Sequence, residues 1–289
     1  MRTTTKLATF AVVVAIVFGA AWAVGAAVGP IDNGGGTSHS SHEAATNAAD
    51  LPRGLAVAEA GYRLVAESTT VAADAPSEFA FRIVDDEGMA VTTFQELHER
   101  PLHLIVLSRN LVDYWHLHPV MDSAGEWRVE LPGLAAGSYR VFADFQPVGA
   151  ANLTLGTDLI VPGDVSSVEV PDPMTVATVD DYTVTMTATP AIGDTELTFV
   201  VEQNGVAVTT EPYLGAAGHL IAIRAGDLAF LHVHPHTGDS SVITFTGELP
   251  TAGTYRLFFD FSHGGVVRTA AFTVVVGEKM STTTTHEGH

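Results

Sequence analysis

Hydrophobic residues along most of the chain fall in short runs separated by turn-forming residues. Clear examples are "YRLVAE" (62–67), "FAFRIV" (79–84), "LHLIVLS" (102–108), "WRVEL" (127–131) and "YRVFADF" (139–145). Beyond the N-terminal segment, no stretch keeps an apolar period of 3.6 residues, which a helix would require. Runs of about 5–9 residues bounded by turns are typical of a β-sandwich or barrel. The pattern therefore predicts an all-β fold.

The second half of this pattern repeats the first. "FAFRIVDDEGMAVTT" (79–93) aligns with "LTFVVEQNGVAVTT" (197–210), and "LPGLAAGSYRVFADF" (131–145) aligns with "LPTAGTYRLFFDF" (249–261). The repeating unit has about 110 residues, which suits one small domain. We expect two β-sandwich repeats, at 56–163 and 172–277.

Each unit also carries a Gly-x-Tyr motif before a strand, at Gly137–Tyr139 and at Gly253–Tyr255. The motif resembles the tyrosine corner of immunoglobulin-like sandwiches, in which the phenol bonds to nearby backbone. With about seven short strands per unit, we expect two tandem immunoglobulin-like β-sandwich domains. A cupredoxin-like barrel is the alternative.

The N-terminus predicts export. Arg2 and Lys6 precede 23 uncharged residues, Leu7 to Gly29. This length spans about 30 Å of hydrocarbon as a helix, whereas "AWA" (21–23) also fits a signal-peptide cleavage site. We expect a transmembrane helix or signal segment over 1–29, a flexible tether over 30–55 and a disordered tail over 278–289. The bulk of the chain is then extracytoplasmic, anchored to the cell membrane by a single pass or else secreted.

Charge and cysteine content narrow the possible partners. The formal net charge is −20, from 33 acidic and 13 basic side chains. Such a surface repels phosphate backbones, so nucleic acid is not an expected partner. The chain has no cysteine, which excludes disulfides, thiolate metal sites and cysteine nucleophiles. The expected partners are a metal ion, the membrane and, at the cell surface, another protein.

Two histidine-containing segments align without a gap. They are "HLIVLSRNLVDYWHLHP" (103–119) and "HLIAIRAGDLAFLHVHP" (219–235). A two-residue turn at Gly226-Asp227 pairs His219 with His234 and Ile221 with His232. A turn at Asn110-Leu111 in the first unit pairs the equivalent residues there. Because residues two apart in a strand share a face, each unit presents three histidines on one face.

Three imidazoles on one face predict a metal site in each unit. Imidazole nitrogens bind zinc at about 2.0–2.1 Å, and without cysteine the set favours copper(II) or zinc. The predicted ligands are His103, His116, His118, His219, His232 and His234. Further candidate ligands are Asp144, Asp260, His236 and His263, of which the aspartates could instead orient an imidazole.

The remaining histidines carry weaker signals. His39 and His42 in the tether, and His286 and His289 in the tail, form flexible pairs that either capture copper or zinc loosely or are simply polar. The repeat puts Gly215 opposite His98, so we expect His98 to be incidental. In the structural alternative, the predicted ligand histidines are packing residues whose imidazoles hydrogen-bond to carboxylates or to the backbone.

Part of the second unit also carries a family resemblance. "PYLGAAGHLIAIRAGDLAFLHVHP" (212–235) and "GTYRLFFDF" (253–261) resemble a group of exported actinobacterial proteins sharing this HVHP motif. The first unit matches loosely, since "FQELHERPLHL" (94–104) departs from the pattern. The chain is also remotely similar to YtkA-like and CopC-type sandwiches. The resemblance implies an exported β-sandwich linked with heavy-metal or copper handling.

The chain lacks the motifs of the common catalytic sites. It has no glycine-rich phosphate loop, Gly-x-Ser-x-Gly elbow or zinc-protease helix, so we do not expect an enzyme. The leading hypothesis is an extracytoplasmic membrane-anchored protein that sequesters or delivers copper(II) or zinc. The alternative is a non-catalytic cell-surface immunoglobulin-like interaction or structural module with packing histidines.

Overall fold

The computed structural model describes residues 52–165, 168–231, 233–236 and 241–277, all within one compact unit. The predicted anchor (1–29), nearly all of the tether (30–55) and the predicted tail (278–289) lie outside this part of the chain. The described residues form strands and turns without a helix. A search of them for an apolar helix long enough to cross a membrane is therefore negative.

The first repeat contains ten strands among its described residues. They are β1 (Ala58–Glu59), β2 (Tyr62–Ala66), β3 (Ser77–Val84), β4 (Phe94–Gln95), β5 (Leu102–Ser108), β6 (Tyr114–Leu117), β7 (Val120–Met121), β8 (Glu126–Leu131), β9 (Gly137–Pro147) and β10 (Leu153–Val161).

The second repeat follows the same plan. Its described strands are β11 (Val176–Val179), β12 (Tyr182–Ala188), β13 (Gly193–Gln203), β14 (Val206–Ala207), β15 (His219–Arg224), β16 (Phe230–Leu231), β17 (Val233–Pro235), β18 (Ile243–Leu249), β19 (Gly253–His263) and β20 (Val266–Val276).

Each repeat is a sandwich of two antiparallel sheets. In the first repeat one sheet has the order β1-β2-β3-β8-β7, and the other has the order β10-β9-β5-β6. In the second repeat the corresponding orders are β11-β12-β13-β18-β17 and β16-β15-β19-β20. After the first three strands, successive strand pairs thus alternate between the two sheets (β5-β6, β7-β8 and β9-β10 in the first repeat), a two-sheet arrangement like that of an immunoglobulin domain. The predicted tandem immunoglobulin-like sandwich is confirmed.

Both tyrosine corners are present. Tyr139 donates its hydroxyl hydrogen to the carbonyl of Ala135 at 2.8 Å, and Tyr255 donates to the carbonyl of Thr251 at 2.7 Å. Both rings are almost fully buried at the start of β9 and β19. The bonds close the connection that leads into the central strand, as in immunoglobulin domains.

A third hydrophobic cluster joins the two sandwiches. Each sandwich has its own core, and between them lie Ile105, Leu107, Leu111, Phe142, Ile223, Leu228, Phe230 and Phe258. This contact explains why every residue of β5 is buried. Leu104 and Val106 face the first sandwich's core, whereas Ile105 and Leu107 face the second repeat. His103 shares the second of these faces, because strand residues alternate.

The hairpin loops are longer than the two residues predicted. Ser108 pairs with Asp113, which leaves four residues in the first loop, and Arg224 pairs with Ala229 to leave four in the second. Leu111 and Leu228 adopt positive φ in these loops, at 63° each. Each observed loop is longer than the predicted turn by one residue on either side. The register of the paired strands is therefore the predicted one.

Candidate metal centre

Three histidines of the first repeat meet on the face that the sequence predicts. His103 lies in β5, His116 in β6 and His118 directly after β6. The observed pair of Ile105 with His116 is the predicted register. The ring centroids are 5.2 Å apart for His103 and His116, 5.1 Å for His103 and His118, and 4.9 Å for His116 and His118. Their convergence on one face is therefore confirmed.

Hydrogen bonds fix which nitrogen of two rings carries its proton. Nε2 of His103 lies 2.8 Å from the carbonyl oxygen of Leu97 and must donate to it. Nδ1 of His116 lies 2.8 Å from Oδ2 of Asp260 and donates to that carboxylate. In a neutral imidazole the second nitrogen then carries only a lone pair. These two lone-pair nitrogens, Nδ1 of His103 and Nε2 of His116, lie 3.0 Å apart.

The third ring adds another nitrogen without a partner. Nε2 of His118 is buried, and no hydrogen-bond partner for it exists among the described residues. A buried polar atom without a partner costs about 1–3 kcal/mol, so such atoms call for an explanation. One nitrogen from each of the three rings lies within 4.8 Å of the others.

The spacing of the rings is compatible with a tetrahedral ion site. An ion bound by imidazole nitrogens at about 2.0–2.1 Å lies about 3.2 Å from each ring centroid. A tetrahedral angle then separates two centroids by about 5.2 Å, close to the observed separations of 4.9–5.2 Å. The ligand nitrogens themselves must come within about 3.4 Å of one another. Closing the set therefore requires a movement of no more than about 1.5 Å.

Burial keeps the rings of His103 and His118 neutral. Desolvation, followed by the neighbouring His116, lowers the pKa of His103 to about 3. Desolvation, again followed by His116, lowers the pKa of His118 to about 4. Neutral imidazole is the form that binds a metal ion.

His219 of the second repeat joins the same cluster. Its Nε2 donates to the carbonyl of Tyr213 at 3.1 Å, just as His103 donates to Leu97 six residues upstream. Its ring lies 6.3 Å from His103 and 6.2 Å from His116. Burial, followed by the electrostatic effect of the neighbouring His98, lowers the pKa of His219 to about 4. His219 therefore meets the first cluster across the junction between the repeats.

The predicted pairing of His219 with His234 is wrong. The hairpin register is as predicted at Ala222 with Leu231, but the chain then changes sheets. Residues Val233–Pro235 pair with β18, where His234 lies opposite Thr246. The first repeat makes the same change of sheet later, after His118. His232 and the side chain of His234 lie outside the described part of the structure, so the second predicted triad stays a prediction.

The other candidate ligands occupy different surroundings. Asp260 accepts from His116 and therefore orients an imidazole. Asp144 accepts from Thr154 at 2.8 Å, and burial raises its pKa. His236 is exposed and bonds Thr246, and His263 bonds the hydroxyl of Tyr182, away from the cluster. The terminal pairs His39, His42, His286 and His289 lie outside the described residues.

Sequence reasoning missed the neighbours that come from the opposite repeat. His98 packs edge-on against His219 with centroids 4.9 Å apart, although it lacks a counterpart in the repeat. Tyr114 donates its hydroxyl to Asp260 at 3.2 Å. The continuous hydrophobic run of β5 was the available signal, because it indicates a strand buried on both faces.

A small cavity of about 60 Å³ lies beside the cluster. Its lining includes His103, His116, His219 and Asp144 together with apolar residues such as Phe230 and Phe245. A cavity of this size holds a few water molecules or a small ligand. The lining is polar only where the histidines and the aspartate lie.

Family comparison agrees with the internal repeat. The model of a domain of unknown function, DUF8832, matches residues 56–157 and 177–278. The chain belongs to the DUF8832 family. The first match contains His103, His116 and His118, and the second contains His219 and Asp260. The cluster is thus formed by two copies of the DUF8832 domain.

Wider comparisons add little. No curated protein matches the chain. Similar solved structures include the Escherichia coli adhesin FdeC, at 16% identity over 77% of this chain and 66% of that chain, with a TM-score of 0.25. Domains 5–6 of the S-layer protein SbsC match at 15% identity over 74% of this chain and 95% of that chain, with a TM-score of 0.23. At such TM-scores the likeness carries no argument, and the immunoglobulin-like assignment rests on strand order and the tyrosine corners.

Proposed function

We propose that this protein binds a copper(II) or zinc ion outside the cytoplasm, through His103, His116 and His118. The observation that carries the proposal is the set of three ring nitrogens, one from each histidine, that have no partner outside the cluster among the described residues. Two of them lie 3.0 Å apart, and the third is buried without a partner among the described residues. An ion satisfies all three at once, whereas in its absence Nδ1 of His103 and Nε2 of His116 have only each other as partners.

The hydrogen bonds made by the second ring nitrogen of His103 and of His116 support the same function. Metal-bound histidines usually donate their second N–H to a carboxylate or a backbone carbonyl, which fixes the tautomer. His116 donates to Asp260 and His103 donates to Leu97 in this way. The all-nitrogen set favours copper(II) or zinc over calcium or magnesium, which prefer oxygen ligands. Three protein ligands leave one position open, so the ion remains accessible for transfer.

The role we propose is sequestration or delivery of the ion at the cell membrane. The N-terminal segment, whether retained as a single-pass anchor or cleaved as a signal, exports the sandwiches. A second ion site on His219, His232 and His234 is proposed from the sequence repeat alone. We propose no enzymatic activity.

Metal titration of the full chain in mild detergent tests this function. Copper(II) and zinc are titrated by calorimetry in a background in which His39, His42, His286 and His289 are replaced by alanine, which removes loose capture at the termini. In this background we compare H103A/H116A/H118A with H219A/H232A/H234A. We expect the first triple variant to lose the tightest ion. Unchanged affinity in that variant would refute the proposal.

A structural role for the histidines is the second candidate function. It is favoured by the hydrogen bonds of His103 and His116, which hold the loop at Leu97 and the second repeat in place without an ion. The protein would then be a non-catalytic cell-surface interaction or structural module. Melting curves with and without copper(II) or zinc separate the two, because a ligand that binds only the folded state raises the melting temperature. No shift would favour the structural role.

A further inference from the structure

Asp260 belongs to the second repeat, yet it contacts a predicted metal ligand of the first. Its Oδ2 accepts hydrogen bonds from Nδ1 of His116 at 2.8 Å and from the hydroxyl of Tyr114 at 3.2 Å. In its own sheet it lies opposite His219 in the ladder of β15 and β19. A single carboxylate thus connects the histidines of both repeats.

The carboxylate is held firmly in this position. Thr269, on the neighbouring strand β20, donates its hydroxyl to Oδ1 of Asp260 at 2.5 Å. The side chains of His116 and Asp260 are 5% and 2% exposed. A carboxylate buried to this degree needs partners, and two of the three side chains that bond to Asp260 belong to the first repeat. Separating the repeats would therefore expose the carboxylate of Asp260 to solvent or leave it without two of its hydrogen-bond donors.

Apolar and polar contacts around the pair hold the same junction. Tyr114 stacks on Phe258, two residues before Asp260, with centroids 4.2 Å apart. Arg256 donates Nε–H to the carbonyl of Leu111 in the first repeat at 3.0 Å. The alternation of β19 places Arg256, Phe258 and Asp260 on one face. That face docks directly onto the strand carrying His116.

We propose that Asp260 is a positioning residue for the metal ligand His116, and that ion binding is thereby coupled to docking of the two repeats. The inference rests on the function proposed above. Asp260 keeps the Nε2 lone pair of His116 directed towards His103 and His118, and it makes this nitrogen a stronger metal ligand. An ion held by the first repeat then stabilises the docked second repeat. Conversely, undocking removes Asp260 and weakens the site, since coupling is reciprocal.

Substitution of Asp260 in the full chain tests the first half of the inference. D260N keeps the shape but weakens the acceptor, and copper(II) affinity should fall about 10–100-fold. The copper(II) electron paramagnetic resonance spectrum should change as well, which a purely structural role would not produce. D260E should recover part of the affinity. The matched control is D180N, because Asp180 is an exposed aspartate of the same repeat that pairs with Arg268.

Hydrogen exchange tests the coupling. Copper(II) should slow amide exchange in β19 (Gly253–His263) as well as in β5 and β6, and D260N should lose the effect in β19 alone. If D260N folds poorly, T269V provides a second variant, because it removes one bond to Asp260 and leaves the carboxylate. We expect T269V to act in the same direction with a smaller loss of affinity.

The outcomes separate this inference from the proposed function. If the wild-type chain binds no more copper(II) or zinc than H103A/H116A/H118A, both are overturned. If the wild type binds but D260N and T269V bind equally well, only the inference is overturned. Slower exchange confined to the first repeat would likewise contradict the coupling.

Discussion

Tyr114 of the first repeat stacks face to face on Phe258 of the second, with ring centroids 4.2 Å apart and 3° between the planes. The pair lies between the hydrophobic cluster that joins the sandwiches and the histidine cluster beside it. Because the tyrosine hydroxyl also reaches Asp260, one ring links the apolar junction to the polar site. The stability of the junction and the geometry of the histidines are therefore connected.

Replacing Phe258 should uncouple the two repeats. F258A removes a ring that is 1% exposed, and such truncations cost about 3–5 kcal/mol. Among the described residues both tryptophans, Trp115 and Trp127, lie in the first repeat, so fluorescence reports mainly on that repeat. We expect urea unfolding curves from fluorescence and circular dichroism to coincide in the wild type and to separate in F258A.

The control for this substitution is V206A, which truncates an exposed side chain of the second repeat. Its free energy of unfolding should stay within about 0.5 kcal/mol of the wild type. Coincident curves in F258A, with an unchanged midpoint, would show that the apolar junction does not hold the repeats together.

Two histidines of the cluster should respond differently to truncation. H116A leaves the buried carboxylate of Asp260 without its histidine partner, and breaking such a pair costs about 3 kcal/mol. H118A removes a buried nitrogen that has no described partner, so we expect a loss of about 1 kcal/mol or less. Both variants should lose more copper(II) affinity than the roughly 10–100-fold expected for a residue, such as Asp260, that only hydrogen-bonds to a ligand.

Chemical denaturation and calorimetric titration of the same samples provide this comparison. An H118A variant that loses stability as H116A does, while keeping its copper(II) affinity, would identify His118 as a packing residue. Equal stability loss without any change in metal binding would favour the structural role for the whole cluster.

The sequence was sufficient to predict the fold and the grouping of three histidines. Short hydrophobic runs such as "LHLIVLS" and the Gly-x-Tyr motifs reflect local geometry, which is why strands and tyrosine corners could be predicted. The pairing of Ile105 with His116 was predicted correctly because the position of the turn's centre was right. A loop that is longer by one residue on each side keeps the same strand register. The convergence of His103, His116 and His118 followed from that register.

The rest depends on how one repeat docks onto the other. The contact of Asp260 with His116 joins residues 144 positions apart, and no local pattern specifies it. The change of sheet before Val233 also lies beyond local rules, because it is decided by pairing with β18. Such packing between domains overrides what a single hairpin would adopt alone. The two sites were therefore predicted as separate, whereas His219 lies beside the first cluster.

The metal-free protein should lose stability as the pH falls below about 6.5. The folded-state pKa is lowered from 6.5 to about 3 for His103 and to about 4 for His118 and His219, in each case mainly by burial. Between these values and 6.5 the unfolded chain binds protons that the folded chain does not. Stability is then fully present above pH 6.5 and is lost as the pH falls through about 4 to 3.

Urea unfolding midpoints at pH 7, 6 and 5 in the presence of a chelator measure this dependence. Most carboxylates remain ionised in that window, so the histidines dominate the slope. A variant with His103, His118 and His219 replaced by glutamine should show a flatter dependence. A slope equal to that of the wild type would contradict the neutral, buried state of these rings.

The hydroxyls of the two tyrosine corners should contribute separately to the two sandwiches. Y139F removes the bond to Ala135 and Y255F removes the bond to Thr251. Each change leaves a carbonyl without its donor and should cost about 1–2 kcal/mol. Y62F is the control, because the hydroxyl of this half-buried tyrosine makes no hydrogen bond among those described. Tryptophan fluorescence should detect the loss in Y139F, and a loss of similar size in Y62F would mean that the corner bonds have no special role.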